Sequence, residues 1–102
     1  MKHIYLICAA GLSTSMMVEK MKEAARKQNF ECEIQAVGIP MVESIVSDAD
    51  CILLGPQIRF EKENICEAAG EVPVDVIDMR DYGRMNGEAV IQMARALMGE
   101  NL

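Results

Sequence analysis

The chain is poor in aromatic side chains and in positive charge. Its 102 residues include no tryptophan, 4% aromatic residues and one histidine. Met, Leu, Ile and Val therefore have to fill the core, and nine methionines make such a core adaptable. A net charge of −6 argues against a nucleic-acid-binding protein, which needs a basic face. The same charge offers no long-range attraction to an anionic substrate.

Long apolar runs are also absent. No stretch approaches the roughly 20 residues of a membrane-spanning helix. The first residues do not form a signal peptide, because the charged residues Glu19, Lys20 and Lys22 soon follow. These absences predict a cytoplasmic protein, and its length leaves room for a single domain, 1–102.

The four cysteines show no C-x-x-C spacing, which makes a zinc site or a thioredoxin motif improbable. Disulfides are not expected in a cytosolic chain. Cys51 falls in an apolar strand and Cys66 in a helix, so both are interpreted as inert core residues. Cys32 begins an edge strand and is expected to be partly exposed. No cluster of metal ligands is visible, and no cofactor is expected.

Apolar runs alternate with amphipathic stretches along the whole chain. Strands are predicted at 3–8, 31–37, 50–54 and 74–77, helices at 16–28, 41–47, 59–69 and 88–98, and a loop at 78–87. This alternation predicts an α/β three-layer open sandwich: a four-stranded parallel sheet in the order 2-1-3-4 with helices on both faces. Ligands on such sheets bind beyond the carboxyl ends of the strands, at the switch point between strands one and three. His3, Asp48 and Asp50 lie at the opposite end. His3 is expected to be a surface or structural residue, not a catalytic one, and the two aspartates are expected to be solvated.

The connection after the first strand is the stretch best suited to chemistry. A loop that enters a helix presents unpaired N–H groups and the positive end of the helix dipole, which together bind anions. A cysteine at its mouth could hold a phosphoryl group. Free cysteines are commonly just small buried hydrophobes, but the run of small residues here favours the functional interpretation, with Ser15 as a candidate N-cap. The candidate phosphate-binding residues after Cys8 are Ala9, Ala10, Gly11, Leu12, Ser13, Thr14 and Ser15.

This loop resembles the phosphocysteine loop of the IIB components of the sugar phosphotransferase system, in the lactose/cellobiose (chitobiose) group. The segment 53–58, Leu-Leu-Gly-Pro-Gln-Ile, is similar to that group's third strand and following turn. Agreement at 76–78, 82–83 and 86–87 is weaker. The resemblance implies one type-3 EIIB domain, a fold like those of flavodoxin and low-molecular-weight tyrosine phosphatase, and a cysteine that carries phosphate.

The resemblance also implies partners. The IIA component would supply the phosphoryl group from a phosphohistidine to Cys8, and the membrane IIC component would hold the sugar that receives it. A carrier that meets two partners in turn is expected to be a monomer. The sugar stays open among cellobiose, chitobiose, lactose and other β-linked oligosaccharides, because IIC selects it in the resembled system. The docking face is predicted around the loop, at Met16, Met17, Pro56, Gln57 and Tyr82, together with Leu12.

Two alternatives remain open at this point. A phosphatase of the low-molecular-weight type places an arginine six residues after its cysteine, where this chain has Thr14. Its general acid is commonly an aspartate followed by proline, whereas Asp78 is followed by Met79. The second alternative is a non-enzymatic anion-binding or regulatory module with an incidental thiol. Asp78 and Asp81 could face Cys8, although polar residues are ordinary in loops.

Overall fold

A computed structural model describes residues 1–9 and 11–100, and the side chains of these except 11–14. Its strands are β1 (Lys2–Cys8), β2 (Cys32–Gly38), β3 (Cys51–Leu54) and β4 (Val74–Val76). Its α-helices are α1 (Gly11–Lys27), α2 (Val42–Ile45), α3 (Lys62–Ala69), α4 (Met79–Gly83) and α5 (Gly87–Leu97). Short 3-10 helices at Ile39–Met41 and Pro56–Glu61 lead into α2 and α3.

The four strands form one parallel sheet in the order β2-β1-β3-β4, as predicted. β1 is central, and its last residue, Cys8, lies opposite Gly38 of β2. On the other side, Ile7 pairs with Leu54 of β3. We call the side where the strands end the carboxyl edge and the side where they begin the amino edge. The central strand therefore delivers Cys8 to the carboxyl edge, between the connections that leave β2 and β3.

Alternate residues of β1 fill two separate apolar clusters, one on each face of the sheet. Ile4 and Leu6 pack into the cluster covered by α1 and α5, which includes Met21 and Ile91. Tyr5 and Ile7 belong to the cluster on the other face, which includes Val42 of α2 and Ile65 of α3. Full burial of each such side chain contributes about 1.5–3 kcal/mol. This period-two alternation puts helices on both faces, as the sequence predicted.

The first helix begins earlier than the sequence predicted. A loop was expected through Ser15 and a helix from residue 16, whereas α1 begins at Gly11. Small and hydroxyl-bearing residues are typical of loops, but the first turn of a helix also accepts them because its N–H groups have no intrahelical partner. Met17 and Met21, both fully buried, continue the same helical face. Ser15 thus lies inside α1, and its assignment as the N-cap is wrong.

The segment predicted as a loop at 78–87 contains the short helix α4. The Asp78 carboxylate caps this helix: its Oδ1 accepts the N–H of Arg80 at 2.8 Å and that of Asp81 at 3.3 Å. Asn86 starts α5 in the same way, with its Oδ1 accepting from the Ala89 N–H at 3.1 Å. Aspartate and asparagine are preferred at this position, so polar residues that resembled loop residues are helix starts.

The amino edge is held by side-chain bonds that join the start of β1 to the connection before β3. The Tyr5 hydroxyl donates to Asp48 Oδ2 at 2.7 Å. The His3 backbone N–H donates to Asp50 Oδ2 at 2.8 Å, and the Asp50 N–H donates back to the His3 carbonyl at 2.8 Å. Asp48 and Asp50, expected to be ordinary surface residues, are instead structural acceptors. The hydrogen bond to Asp48, with a smaller effect of burial, raises the pKa of Tyr5.

Candidate functional site

Cys8 occupies the switch point of the sheet. It is the last residue of the central strand and is only 7% exposed. The backbone of β3 closes one side, because the Gly55 N–H donates to the Ile7 carbonyl at 3.0 Å. Gly38 at the end of β2 closes the other. The thiol therefore lies at the crevice where parallel sheets bind their ligands.

The amino terminus of α1 lies next to this cysteine in the chain. α1 begins three residues after Cys8 and runs for 17 residues, so its first N–H groups and its dipole lie at the carboxyl edge. Of the predicted phosphate-binding residues, Ala9 is exposed, Gly11 starts α1 and Ser15 is exposed within it. Ala10 lies outside the described residues, and Leu12, Ser13 and Thr14 lie among those whose side chains are not described. The segment predicted to bind phosphate thus becomes helical at Gly11, so from that residue on it is the first turn of α1.

The connection after β3 packs tightly against β1. A Cβ at Gly55 would lie 3.0 Å from Gln57 Oε1, 3.7 Å from the Ile7 carbonyl oxygen and 3.8 Å from Tyr82 Cε2. Only the contact with Gln57 is tight, and it involves the end of an exposed side chain that can move; the other two are ordinary van der Waals contacts. Tyr82 itself is 6% exposed and belongs to the apolar cluster under α1. Its ring lies close to Gly55, at the start of the connection after β3.

A comparison with known families shows the family to which the chain belongs. A family model described as "PTS system, Lactose/Cellobiose specific IIB subunit" matches residues 3–93. The chain belongs to this family. It is thus a sugar-specific IIB component of the phosphotransferase system, and as such a phosphotransferase component.

Relatives over nearly the full length agree with this membership. The chain is 41% identical over 100 residues to the oligo-beta-mannoside-specific EIIB component of Bacillus subtilis (strain 168), covering 96% of this chain and 97% of that protein. It is 40% identical over 104 residues to the galactose-specific EIIB component of Lactococcus lactis subsp. cremoris (strain MG1363), covering 95% and 96%. The solution structure of a cellobiose-specific IIB component from Borrelia burgdorferi superposes with a TM-score of 0.79 at 36% identity, covering 95% of this chain and 91% of that one. These likenesses confirm the flavodoxin-like α/β fold.

The predicted docking residues of this IIB component divide into two groups. Met16 is 60% exposed and Gln57 is exposed, so both are accessible at the carboxyl edge. Met17, Pro56 and Tyr82 are buried, and the expectation that their side chains are exposed to a partner is wrong. Met17 faces inward because it lies one turn before Met21 on the apolar face of α1.

The docking face predicted from the sequence did not include three apolar residues that are exposed at the carboxyl edge. Met41, Phe60 and Met79 are 49%, 74% and 62% exposed and lie on the connections after β2, β3 and β4. Their exposure could have been predicted from the sequence, because each large apolar residue lies within a few positions of a residue that favours a turn. Each follows a proline or an aspartate that starts a helical turn, namely Pro40, Pro56 and Asp78.

The other cysteines of the IIB component lie away from the crevice. Cys51 is fully buried, and burial raises the pKa of its thiol to about 12. Cys32 and Cys66 are half-buried, and burial also raises the pKa of Cys32. Cys8 is thus the cysteine that the fold places at the carboxyl edge. No helix in the described part of the chain is long and apolar enough to cross a membrane.

Proposed function

We propose that Cys8 is the phosphoryl acceptor, and that it passes the group from the IIA component to a sugar held by the membrane IIC component. The observation that carries this proposal is the position of Cys8, at the end of the central strand and directly before the amino terminus of α1. Family membership supports it, because a IIB component acts in a phosphotransferase system.

The proposed transfer is a displacement at phosphorus. A sulfur lone pair of the Cys8 thiolate attacks the phosphoryl group of the donor's phosphohistidine in line with the P–N bond. The S–P bond forms as the P–N bond breaks, and the bonding pair leaves on the imidazole nitrogen. The thiol releases its proton to solvent when the thiolate forms, and the imidazole nitrogen takes up one proton from solvent as it leaves, so no net proton is gained or lost. In the second step a sugar hydroxyl oxygen attacks phosphorus, the S–P pair returns to sulfur, and the hydroxyl proton goes to the thiolate or to solvent.

The start of α1 is proposed to stabilise charge on the phosphoryl oxygens in both steps. N–H groups fixed before the reaction contribute most where charge develops, since they need no reorganisation. Because the net charge of the chain is −6, the phosphoryl group depends on such local donors at short range. The low exposure of Cys8 would also limit attack by water on phosphocysteine.

The sugar is proposed to be a β-linked oligosaccharide. Two of the similar proteins carry names specifying cellobiose and oligo-beta-mannoside, whereas another is named for galactose. In the resembled system the membrane IIC component selects the sugar, so the choice among these sugars is proposed to lie with IIC.

The test is phosphoryl acceptance by intact protein. Wild type incubated with phosphorylated IIA component should gain the mass of one phosphoryl group, and peptide mapping should place it on Cys8. Cys8→Ser should lose acceptance, because a serine hydroxyl is almost fully protonated near neutral pH. Cys32→Ser and Cys66→Ser serve as matched controls and should accept phosphate at the wild-type rate. Acceptance by Cys8→Ser at the normal rate would refute the assignment.

A further inference from the structure

Charged residues are distributed unequally between the two edges of the sheet. The connections that enter β2, β3 and β4, residues 28–31, 46–50 and 70–73, hold four acidic residues and no basic one. The connections that leave β2, β3 and β4, residues 39–45, 55–62 and 77–87, hold four acidic and four basic residues. The connection after β1, residues 9–16, holds none. The connections at the carboxyl edge therefore contain basic residues that those at the amino edge lack, while Lys2, Arg26 and Lys27 lie beside the amino-edge connections, at the start of β1 and the end of α1.

Three of the basic residues at the carboxyl edge are exposed arginines. Arg59 lies in the 3-10 helix after β3, where its Nη1 donates to the Pro56 carbonyl at 2.9 Å. Arg80 lies on α4, and Arg84 follows that helix four positions later, about one helical turn on. No carboxylate of the described residues lies within ion-pair distance of these guanidinium groups. The fourth basic residue, Lys62, is by contrast paired with Asp75 at 3.2 Å.

Nearby acids neutralise the arginines only partly. The Asp78 carboxylate is turned to the N–H groups of Arg80 and Asp81, where it caps α4. Asp81 is half-buried, and Glu43 and Glu61 share the same edge. The connections at the carboxyl edge thus hold equal numbers of acidic and basic residues, but no described carboxylate forms an ion pair with the three arginines. Their guanidinium groups are therefore available to a ligand.

Exposed apolar residues accompany these arginines. Four of the five large apolar side chains that are most exposed lie on connections leaving a strand: Met16, Met41, Phe60 and Met79. Methionine, aromatic residues and arginine are the types enriched in protein interfaces, where lysine and the acids are depleted. The carboxyl edge carries the methionine, phenylalanine and arginine side chains of such an interface, although its connections hold as many acidic residues as those of the amino edge.

We propose that Arg59, Arg80 and Arg84 attract the phosphoryl-donor protein to the carboxyl edge, where Met41, Phe60 and Met79 contact it. This inference rests on the proposed function and names the chemistry of its partner: a protein surface that presents a dianionic phosphoryl group amid apolar contacts. Arginine suits this role because its charge is permanent and its planar fork matches phosphoryl oxygens. The three arginines supply the positive charge that the segment 9–16 lacks.

Electrostatic attraction of this kind changes the association rate and depends on salt. Exposed charges interact over a screening length of about 30 Å at 0.01 M salt and about 8 Å at 0.15 M. Focused charge raises association rates by about 10- to 1,000-fold, and salt removes the gain. Loss of the arginines should therefore slow phosphoryl acceptance most at low ionic strength.

The experiment measures the second-order rate of phosphoryl acceptance from phosphorylated IIA component across a salt series. Arg59→Gln/Arg80→Gln/Arg84→Gln is compared with Lys2→Gln/Arg26→Gln/Lys27→Gln, which removes the same charge from the start of β1 and the end of α1. We expect the first variant to lose about tenfold in rate at low salt and to approach wild type at high salt. The second should lose less than about twofold. Circular dichroism establishes that both variants are folded.

Replacement of the three arginines by lysine separates charge from packing. The Arg59→Lys/Arg80→Lys/Arg84→Lys variant should recover most of the low-salt rate. Equal losses in the two glutamine variants, or a salt dependence unchanged from wild type, would overturn the inference while wild-type acceptance on Cys8 leaves the proposed function intact. Absence of acceptance in wild type would overturn the proposed function, and this inference with it.

Discussion

The two edges of the sheet differ in how their side chains are bonded. At the amino edge, side chains bond to the fold itself: Tyr5 donates to Asp48, and His3 and Asp50 exchange two hydrogen bonds. At the carboxyl edge, Phe60 is 74% exposed and Arg80 has no ion-pair partner among the described residues. Groups that are satisfied within the molecule stabilise it, whereas groups left unsatisfied are available for binding.

The contrast separates stability from function in space. A substitution at the amino edge should alter the free energy of unfolding and leave phosphoryl acceptance unchanged. A substitution at the carboxyl edge should do the reverse, except where the residue packs against the fold or caps a helix. The three predictions below test this separation, beginning with a packing contact.

Gly87 is the carboxyl-edge position whose replacement should cost most. It starts α5, and a Cβ there would lie 2.3 Å from the backbone C and O of Lys20 in α1. Backbone atoms cannot turn aside, so the two helices would have to separate. Gly87→Ala should lower the free energy of unfolding by about 3 kcal/mol, the upper range for overpacking. Denaturant titration measures this.

Gly83→Ala is the matched control for that substitution. Gly83 ends α4, and a Cβ there meets nothing within 4 Å. The stability of the Gly83→Ala variant should equal that of wild type or exceed it slightly, since alanine reduces the conformational entropy of the unfolded chain. Equal losses from both glycine substitutions would show that contact with α1 is not the cause.

Tyr5→Phe should lower stability by about 1 kcal/mol through loss of its hydrogen bond to Asp48. The bond raises the folded-state pKa of Tyr5 above its unfolded value. The contribution is therefore complete below about pH 10, the unfolded pKa, and is lost as pH rises through the higher folded value. Denaturant titrations of both proteins from neutral to alkaline pH should show their difference shrinking.

If the amino edge serves stability alone, Tyr5→Phe should also leave the activity of the protein unchanged. Phosphoryl acceptance by Tyr5→Phe should match wild type. A double-mutant cycle with Asp48→Ala should show that the two substitutions together cost less than the sum of their separate effects. Full additivity would mean that the two side chains do not interact.

Substitutions of Asp78 distinguish a structural role of its carboxylate from a chemical one. Its carboxylate caps α4, so Asp78→Ala should lower stability by about 1 kcal/mol. Asp78→Asn keeps a capping oxygen and should retain both stability and phosphoryl acceptance. A large loss of acceptance in Asp78→Asn with normal stability would instead identify the carboxylate as a participant in the transfer.

The sequence was sufficient to predict the sheet and the place of Cys8. Apolar runs such as 4–8 and 51–54 are buried strands, and the alternation of strands with helices restricts the strand order through right-handed crossovers. Once β1 is central, its last residue must lie at the carboxyl edge. These conclusions need only local pattern and chirality, which is why they are confirmed by the structure.

Exposure at the carboxyl edge was not predictable in the same way. Met16 and Met17 are neighbours of the same type, yet one is 60% exposed and the other is fully buried. Their fates depend on the phase of α1, and that phase depends on where the helix begins. Tyr82 was likewise assigned to a loop and therefore to the surface, whereas the cap at Asp78 folds it into α4 and under α1.

The central position of β1 also bears on how the protein is synthesised. β1 leaves the ribosome before the other three strands, and its neighbour β3 comes much later: 47 residues separate His3 from its partner Asp50. Contacts between such distant residues form slowly, because the intervening chain must first be closed into a loop. The nucleophile is thus made long before the crevice that positions it. A nascent chain that ends before Cys51 carries the thiol but has only one of the two strands that flank it.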